Sequence, residues 1–308
     1  MKIAVLGSGA MGCYFGGYLS EKNEVIFIDK LDSVVDSINQ NGVRIEEVDG
    51  EEKIFLNVKA YKSGTCPEKV DLVIVLVKTT YTEETLIENR ELFLTDTKVI
   101  TLQNGAGNDR KIAKFVDSRQ IVIGTTTNNC VNLGLGHIRH SGMGKTIFGS
   151  NEGNMDILNL ISSLFSVSGL DNEISTDIQR VIWRKLFVNL SINSFTALIQ
   201  TPIGYMAKNE YAWNFAKRLI YEAVEVAEAD GTYFDRREVL EYVHKVIVEQ
   251  GNGYSSMYQD RQRKNKMEID SINGMIVEQA KKYGVPTPYN ALIVDLIHAV
   301  EGAYEFYR

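Results

Sequence analysis

The sequence is poor in the residues that build metal sites and disulfide frameworks. Its 308 residues include three cysteines and four histidines, and none of these form a CxxC pair or an HExxH pattern. Zinc sites need such spacing, so we expect no metal. Cys13, Cys66 and Cys130 lie far apart in the chain. This favours reduced thiols and a cytoplasmic protein.

Long apolar runs and an excess of basic residues are also missing. No apolar run reaches the roughly 20 residues that span a bilayer, and we expect neither a membrane partner nor a cleaved leader. The formal charge of −7 argues against nucleic acid as a partner. Small molecules remain as the expected partners. They include anions, which backbone amides and one or two cationic side chains can bind.

The first half alternates between apolar runs and amphipathic stretches. Runs rich in Val and Ile suit parallel strands that are covered on both faces. They occur at residues 3–6, 25–28, 72–77, 99–102 and 121–123. They predict βαβ units and a Rossmann-type doubly wound parallel sheet. Residues 43–47 and 53–61 flank Asp49-Gly50 and are typical of an inserted hairpin.

From about residue 172 helical periodicity dominates. The predicted helices cover residues 177–198, 211–229, 236–249, 257–283 and 291–307. The chain is long enough for two domains, so we predict an α/β Rossmann-type domain at residues 1–170 and an all-α domain at residues 171–308. The apolar helical half is compatible with a homodimer, but a buried core has the same composition.

A glycine-rich turn follows the first predicted strand and precedes an amphipathic stretch. It reads Gly7-Ser8-Gly9-Ala10-Met11-Gly12. In such a turn the first glycine permits the sharp bend, the second lets a pyrophosphate approach the backbone, and the third allows the helix to pack against the strand. The helix N-terminus adds N–H groups for the phosphates. The turn therefore predicts a dinucleotide site.

Asp29 ends the second predicted strand, where a dinucleotide fold places the residue that meets the adenosine ribose. A carboxylate accepts hydrogen bonds from both ribose hydroxyls and repels a 2′-phosphate, which favours NAD. Lys30 follows at once and can instead pair with the 2′-phosphate of NADP. Asp29 as an ordinary turn residue is the structural alternative.

Polar residues also follow two later strands. Lys78 comes after residues 72–77, and Asn104 comes after residues 99–102. Ligands of open α/β sheets bind beyond the carboxyl ends of the strands, so both residues are candidates for cofactor binding. A solvated lysine and an ordinary Asn-Gly turn are the alternatives.

One predicted helix carries a polar stripe in apolar surroundings. Lys185, Asn189 and Asn193 are four residues apart and fall along one helix face. A helix that is apolar on its other sides is normally buried. Burying an ammonium and two amides is costly unless they have a function. The stripe therefore predicts a catalytic or binding site.

Together these features make the sequence resemble the ketopantoate reductase family over nearly its whole length. Six ordered motifs carry the resemblance: the glycine turn, Val77-Lys78, Gln103-Asn104-Gly105, Gly124-Thr125-Thr126-Thr127, Trp183-Arg184-Lys185-Leu186 with Asn189 and Asn193, and Ser255-Ser256-Met257 through Glu268-Ile269-Asp270 to Ile272-Asn273-Gly274. The resemblance implies a Rossmann domain, a helical domain and an active site in the cleft.

The resemblance also implies the roles of individual residues in the reduction of 2-dehydropantoate. Lys185 would be the general acid, and Glu268 would bind substrate and orient the ammonium. Asn104, Asn189, Asn193 and Ser256 would hold the cofactor amide, the substrate carboxylate and its hydroxyl, and Lys78 would line the cofactor side. For Ser256 a helix cap, and for Glu268 a surface acid, are the structural alternatives.

The sequence departs from the family at two places. Ile203 and Gly253 stand where the family commonly has asparagines for the hydroxylated side chain of the substrate. An apolar pocket does not select for a hydroxyl. Two enzyme hypotheses follow: an NADPH-dependent 2-dehydropantoate reductase of pantothenate biosynthesis, or an NAD-dependent D-2-hydroxy acid dehydrogenase for an apolar 2-oxo acid. A non-catalytic dinucleotide-binding regulator is the third, and Lys185 with Glu268 argues against it.

Overall fold

A mostly parallel sheet of eight strands forms the centre of the first half of the chain. In this computed structural model, which describes residues 1–306, the strands are β1 (Lys2–Leu6), β2 (Glu24–Asp29), β5 (Val58–Lys62), β6 (Val70–Val75), β7 (Phe93–Thr101), β8 (Ile121–Thr126), β11 (Thr146–Gly149) and β12 (Asn172–Ile174). Their order is β12-β11-β8-β7-β6-β1-β2-β5. Among these neighbours β8 and β11 run antiparallel, and the other pairs are parallel. The predicted Rossmann-type sheet is confirmed.

A second, four-stranded sheet contains the predicted hairpin. Its strands are β3 (Val43–Glu46), β4 (Glu52–Phe55), β9 (Asn129–Gly134) and β10 (His137–Gly142), in the order β4-β3-β10-β9. The hairpin is confirmed for β3 and β4, which pair antiparallel. The prediction that its second arm runs to residue 61 is wrong, because Val58–Lys62 leave this sheet and pair in parallel with β2. The sequence did not predict β9 and β10, since neither contains a continuous apolar run; β9 is mostly exposed, and only two residues of β10 are buried.

The helices of this half cover the large sheet. They are α1 (Ala10–Ser20), α2 (Asp32–Asn41), α3 (Thr82–Glu88), α4 (Asn108–Ile112) and α5 (Met155–Val167). Short 3-10 turns lie at Thr79–Tyr81, Arg90–Leu92 and Ser118–Gln120. The buried ring of Phe15 on α1 lies 5.6 Å from that of Phe165 on α5. Large apolar side chains of the helices and strands therefore share one core.

From Ile178 onward, the regular secondary structure of the described residues is all helical, whereas Asn172–Ile174, inside the predicted all-α domain, form strand β12. This part of the chain contains α6 (Ile178–Ile199), α7 (Tyr205–Lys208), α8 (Glu210–Ala229), α9 (Arg236–Gln250), α10 (Ser256–Gln262), a π-helical turn (Asp270–Gly274), α11 (Met275–Tyr283) and α12 (Pro288–Phe306). One continuous helix over residues 257–283 is a wrong prediction. Lys264 adopts φ 54°, and the chain leaves the helix after Gln262. For the predicted helix at 291–307, Tyr307 lies outside the described residues.

The chain divides into two compact units at a different place from the predicted residue 170. The first unit contains Met1–Gln103 and Gly107–Val181, and the second contains Asn104–Ala106 together with the chain from Ile182 onward. Asn172–Ile174 pair in parallel with Thr146–Phe148, which keeps them in the first unit. No described helix is both long and apolar enough to cross a membrane.

Candidate active site

The glycine turn of the first unit is closed by direct backbone contact. Gly7 adopts φ +99°, and a Cβ on it would lie 2.8 Å from the backbone nitrogen of Val77. A Cβ on Gly12 would lie 1.9 Å from the carbonyl oxygen of Gly7. Both glycines are therefore required by the packing of the turn itself.

Gly9 differs, because packing of the chain does not require it. It precedes α1 with φ −70° and ψ −170°, and a Cβ on it would meet no described atom within 4 Å. The neighbouring Ser8 is buried, and its Oγ has no hydrogen-bond partner among the described residues. A buried hydroxyl without a partner is costly. Open space beside Gly9 and an unsatisfied hydroxyl fit the predicted phosphate group.

The next two predicted residues, Asp29 and Lys30, have different partners. Asp29 Oδ2 accepts a hydrogen bond from the Ser8 N–H at 2.9 Å, and Oδ1 accepts one from Leu31 at 3.1 Å. Asp29 thus ties the end of β2 to the glycine turn. The Lys30 ammonium lies 2.7 Å from Glu84, which raises the lysine pKa through their hydrogen bond. Glu88 is also close to Lys30, at 3.8 Å.

The segments that follow β6 and β7 are connected by Gln103, which stands in one of the family motifs but was given no role of its own from the sequence. The buried Gln103 donates from Nε2 to the Val77 carbonyl at 2.7 Å and to Thr82 Oγ1 at 2.8 Å. Half-buried Lys78 follows β6 and precedes a 3-10 turn. Gln103 adjoins the predicted Asn104, and its place after an apolar strand was the available signal.

In the second unit, Lys185, Asn189 and Asn193 all lie on α6 at the predicted spacing. Trp183, Leu186, Phe187 and Leu190 of the same helix are buried in the core of this unit. Asn193 is buried, whereas Lys185 and Asn189 are only half-buried. The predicted burial of the stripe is therefore complete for Asn193 and partial for the side chains of Lys185 and Asn189.

Lys185 has an unusual electrostatic environment. Burial of the ammonium lowers its pKa to about 8, and the carboxylate of Glu268 opposes this fall. Asn104 Nδ2 donates to Glu268 Oε2 at 3.4 Å. Asn104–Ala106 follow a strand of the first unit but belong to the second unit, as Glu268 does. Next to Asn104, Gly105 has φ +86°, and a Cβ on it would lie 2.2 Å from the Ser271 carbonyl oxygen.

The second unit therefore brings together a lysine with a lowered pKa, a carboxylate and an amide. The amide of Asn104 and the carboxylate of Glu268 lie 164 residues apart in the sequence. This combination is typical of a site that transfers a proton near neutral pH.

Two family models match most of the chain. The model described as ketopantoate reductase PanE/ApbA matches residues 3–153, and that of its C-terminal part matches residues 177–301. The chain belongs to the ketopantoate reductase family.

Relatives match over nearly the whole chain. The 2-dehydropantoate 2-reductases of Streptococcus pyogenes serotype M18 and Pyrococcus abyssi are 31% and 32% identical, with 98% of this chain and 98% of each relative covered. A solved structure of D-mandelate dehydrogenase with NADH and anilino(oxo)acetate has a TM-score of 0.93 and 31% identity, covering 98% of this chain and 99% of that chain. These proteins share the fold and the full length of this family member.

Around the family motif Ser255-Ser256-Met257, the two serines have different environments. Ser255, not Ser256, caps α10, since its Oγ accepts from the Tyr258 N–H at 3.1 Å. Its Oγ also lies 2.7 Å from Thr196 Oγ1 on α6. Ser256 is exposed at the first position of α10. The cap alternative for Ser256 is wrong, and its hydroxyl stands at the surface of the unit.

The two positions predicted to depart from the family pattern are neighbours in space. The Ile203 N–H donates to the Gly253 carbonyl at 3.0 Å. Ile203 is 3% exposed and lies in the core of the second unit. A Cβ on Gly253 would lie 2.9 Å from the Gln250 carbonyl oxygen. This part of the unit thus offers an apolar side chain and a position with little room for any side chain.

Proposed function

We propose that the protein reduces the C2 carbonyl of a 2-oxo acid with a nicotinamide dinucleotide, giving a D-2-hydroxy acid. The observation that supports this most directly is Lys185 with its pKa of about 8 beside Glu268. Among 2-oxo acids, 2-dehydropantoate is the substrate named for the curated relatives.

In this proposal the second unit handles the proton and the substrate. The Lys185 ammonium donates a proton to the carbonyl oxygen as the oxygen gains charge, and a pKa near the working pH suits that transfer. Glu268 holds the ammonium in place and is itself held by Asn104. The amides of Asn189 and Asn193 bind the substrate carboxylate without adding charge. The Ser256 hydroxyl is assigned to the substrate as well.

The first unit provides the dinucleotide site. A reduced nicotinamide, when bound, supplies the hydride to C2. The open space at Gly9, the Ser8 hydroxyl and the amides that begin α1 are assigned to the pyrophosphate. Lys78 is also assigned to the cofactor side. Asn104, which belongs to the second unit, is assigned to the nicotinamide amide.

We further propose NAD as the preferred dinucleotide. Asp29 repels a 2′-phosphate, while Lys30, the cation that could bind it, is paired with Glu84 and close to Glu88. A 2′-phosphate would have to compete with these carboxylates. NADH should therefore give a higher kcat/KM than NADPH, and Glu84→Gln should narrow the difference. A wild-type preference for NADPH would contradict this assignment.

The variant Lys185→Met tests the assignment of the general acid. It keeps the length of the side chain and removes the acid, so kcat should fall by about 100-fold or more, given what general acids contribute. NADH binding, followed by fluorescence, should be unchanged. Lys245→Met on exposed α9 is the matched control. Turnover at the wild-type rate in Lys185→Met would overturn the assignment.

An apolar 2-oxo acid is the second candidate substrate, and Ile203 with Gly253 favours it. An apolar wall does not reward a substrate hydroxyl, and the D-mandelate dehydrogenase structure belongs to an enzyme of that kind. Steady-state rates with 2-dehydropantoate, phenylpyruvate and a branched 2-oxo acid, each with NADH and NADPH, decide between the candidates. Absence of turnover with every pair would instead support a non-catalytic regulator.

A further inference from the structure

Helix α12 contacts the chain on both sides of Glu268. Glu301 Oε1 accepts a hydrogen bond from the Met267 N–H at 2.6 Å. His298 Nε2 lies 2.8 Å from Asp270 Oδ1, and its Nδ1 lies 3.0 Å from Glu301 Oε2. Glu301 thus holds Met267, the residue before Glu268. His298 links Glu301 to Asp270, two positions after Glu268.

A buried contact fixes the same segment farther along. Asn273 and Asn290 are both fully buried, and Asn273 Nδ2 donates to Asn290 Oδ1 at 3.0 Å. The same Nδ2 donates to the carbonyl of Leu190 at 3.1 Å, next to Asn189 on α6. The π-helical turn is therefore connected to both α12 and the helix that carries Lys185.

The start of α12 is held in turn by a buried acid. Glu222 of α8 accepts from the N–H groups of Tyr289 and Asn290, each at 2.9 Å, and from Asn290 Nδ2 at 2.7 Å. A carboxylate at a helix N-terminus satisfies donors that the helix cannot pair itself. α12 is thus a fixed support for the contacts made by Asn290, His298 and Glu301.

We infer that Glu301 is a positioning residue, which holds the segment carrying Glu268 so that the carboxylate stays beside Lys185, with His298 as its bridge to Asp270. The inference rests on the proposed function. Residues 263–268 lie outside regular helix, and a π-helical turn follows at 270–274. Local helical hydrogen bonding therefore does not fix the backbone at Glu268, and the contacts from α12 hold this segment in addition to the Asn104 contact to the carboxylate.

The charges around Glu301 are consistent with a fixed cluster. Burial would lower the pKa of His298, but its hydrogen bonds to Asp270 and Glu301 outweigh this and raise it. Burial raises the pKa of Tyr304, with Glu301 and Asp260 adding to the effect and Arg261 opposing it. His298 therefore lies between two carboxylates that favour its protonated form, and Arg261 is a cation near Tyr304.

The experiment compares Glu301→Ala, Glu301→Gln and the control Asp295→Ala in the full-length protein. Asp295 is exposed on the same helix, so its variant removes the same charge without touching the segment. The pH dependence of kcat reports on Lys185, whose pKa Glu268 keeps up. In Glu301→Ala we expect kcat to fall about tenfold, or ~1.4 kcal/mol, and the alkaline limb to move down by about half a pH unit. In Glu301→Gln the side-chain oxygen still accepts from the Met267 N–H, so both kcat and the position of the alkaline limb should return most of the way to the wild-type values.

The outcomes separate this inference from the proposed function. A wild-type alkaline limb in Glu301→Ala overturns the inference, even if the melting temperature falls, because a purely structural role would not move the pH profile. Equal shifts in Asp295→Ala also overturn it, since a general charge effect would then suffice. Activity in Lys185→Met, by contrast, contradicts the proposed function itself.

Discussion

At the scale of single residues, Lys185 illustrates a conflict between function and stability. Its pKa of about 8 lies below the ordinary 10.5, so the folded protein binds this proton less tightly than the unfolded chain does. The resulting cost is present in full below about pH 8 and is relieved as the pH rises toward 10.5. A group that the proposed function requires thus makes the fold less stable at neutral pH.

Lys185→Met should therefore stabilise the protein while lowering kcat. We expect the free energy of unfolding at pH 7 to rise by about 1 to 3 kcal/mol, since one pKa unit corresponds to ~1.4 kcal/mol and partial exposure reduces the effect. The gain in stability should shrink between pH 8 and pH 10.5, because folding of the wild type no longer requires a buried charged ammonium there. Urea unfolding at several pH values measures it. A variant that is less stable than the wild type at pH 7 would show that the partners of Lys185 fully offset the cost of burying its ammonium.

Ile203 is the second residue whose replacement separates hypotheses. Ile203→Asn places an amide beside Gly253, where it can hydrogen-bond a substrate hydroxyl. We expect the ratio of kcat/KM for 2-dehydropantoate to that for an apolar 2-oxo acid to rise about tenfold or more. Burying the amide should cost about 1 to 3 kcal/mol of stability. Ile203→Val is the control, and an unchanged ratio in Ile203→Asn would exclude this position from the substrate pocket.

At the scale of elements, the sequence predicted what repeats and missed what depends on distant partners. Helices α6, α8 and α9 begin and end within one residue of their predicted bounds, because their apolar periodicity is strong. The end of the helix after Gln262 was not predicted. The left-handed backbone of Lys264 and the hydrogen bond from the Met267 N–H to Glu301 on α12 leave no periodic signal in the sequence. The strands β9 and β10 were missed because neither has a continuous apolar run, and β10 pairs with β3, far away in the sequence, as well as with β9.

The turn between β1 and α1 allows two glycine substitutions with opposite outcomes. Gly12→Ala puts a Cβ 1.9 Å from the Gly7 oxygen, so the helix must move and several kcal/mol of stability should be lost. Gly9→Ala meets only open space and should stay within about 1 kcal/mol of the wild type. It should nevertheless weaken NADH binding about tenfold or more, because the methyl group fills the phosphate space.

Thermal unfolding and a fluorescence titration with NADH measure both effects in the two variants. If Gly9→Ala bound NADH as tightly as the wild type, the pyrophosphate would lie elsewhere.

At the scale of the whole molecule, the division into units explains which part of the site the sequence could predict. Five of the six family motifs lie within one unit, but Gln103-Asn104-Gly105 is divided: Gln103 belongs to the first unit, and Asn104 and Gly105 belong to the second. A strand-end rule therefore identified Asn104 as a site residue without identifying Glu268 as its partner. Contacts over 164 positions are set by tertiary packing, which local patterns do not encode.

The three thiols give a test of how cooperatively the first unit unfolds. Cys13 lies on α1, Cys66 precedes β6 and Cys130 lies on β9, and all three are free. Burial raises the pKa of Cys13 and of Cys130 to about 12, with Asp29 and Glu47 adding to the respective effects, and burial also raises that of Cys66. Because the thiolate is the reactive form, native labelling at pH 8 should be about 100-fold slower than in urea or more.

Labelling of the native protein then requires opening of the unit. Saturating NADH should slow all three thiols by the same factor, because a ligand that binds the folded state lowers the population of the open state. Mass spectrometry after timed alkylation measures each cysteine separately, and urea-unfolded protein gives the reference of three labelled thiols. One cysteine that reacts quickly and independently of NADH would show that its element opens locally, without unfolding the sheet that carries the glycine turn.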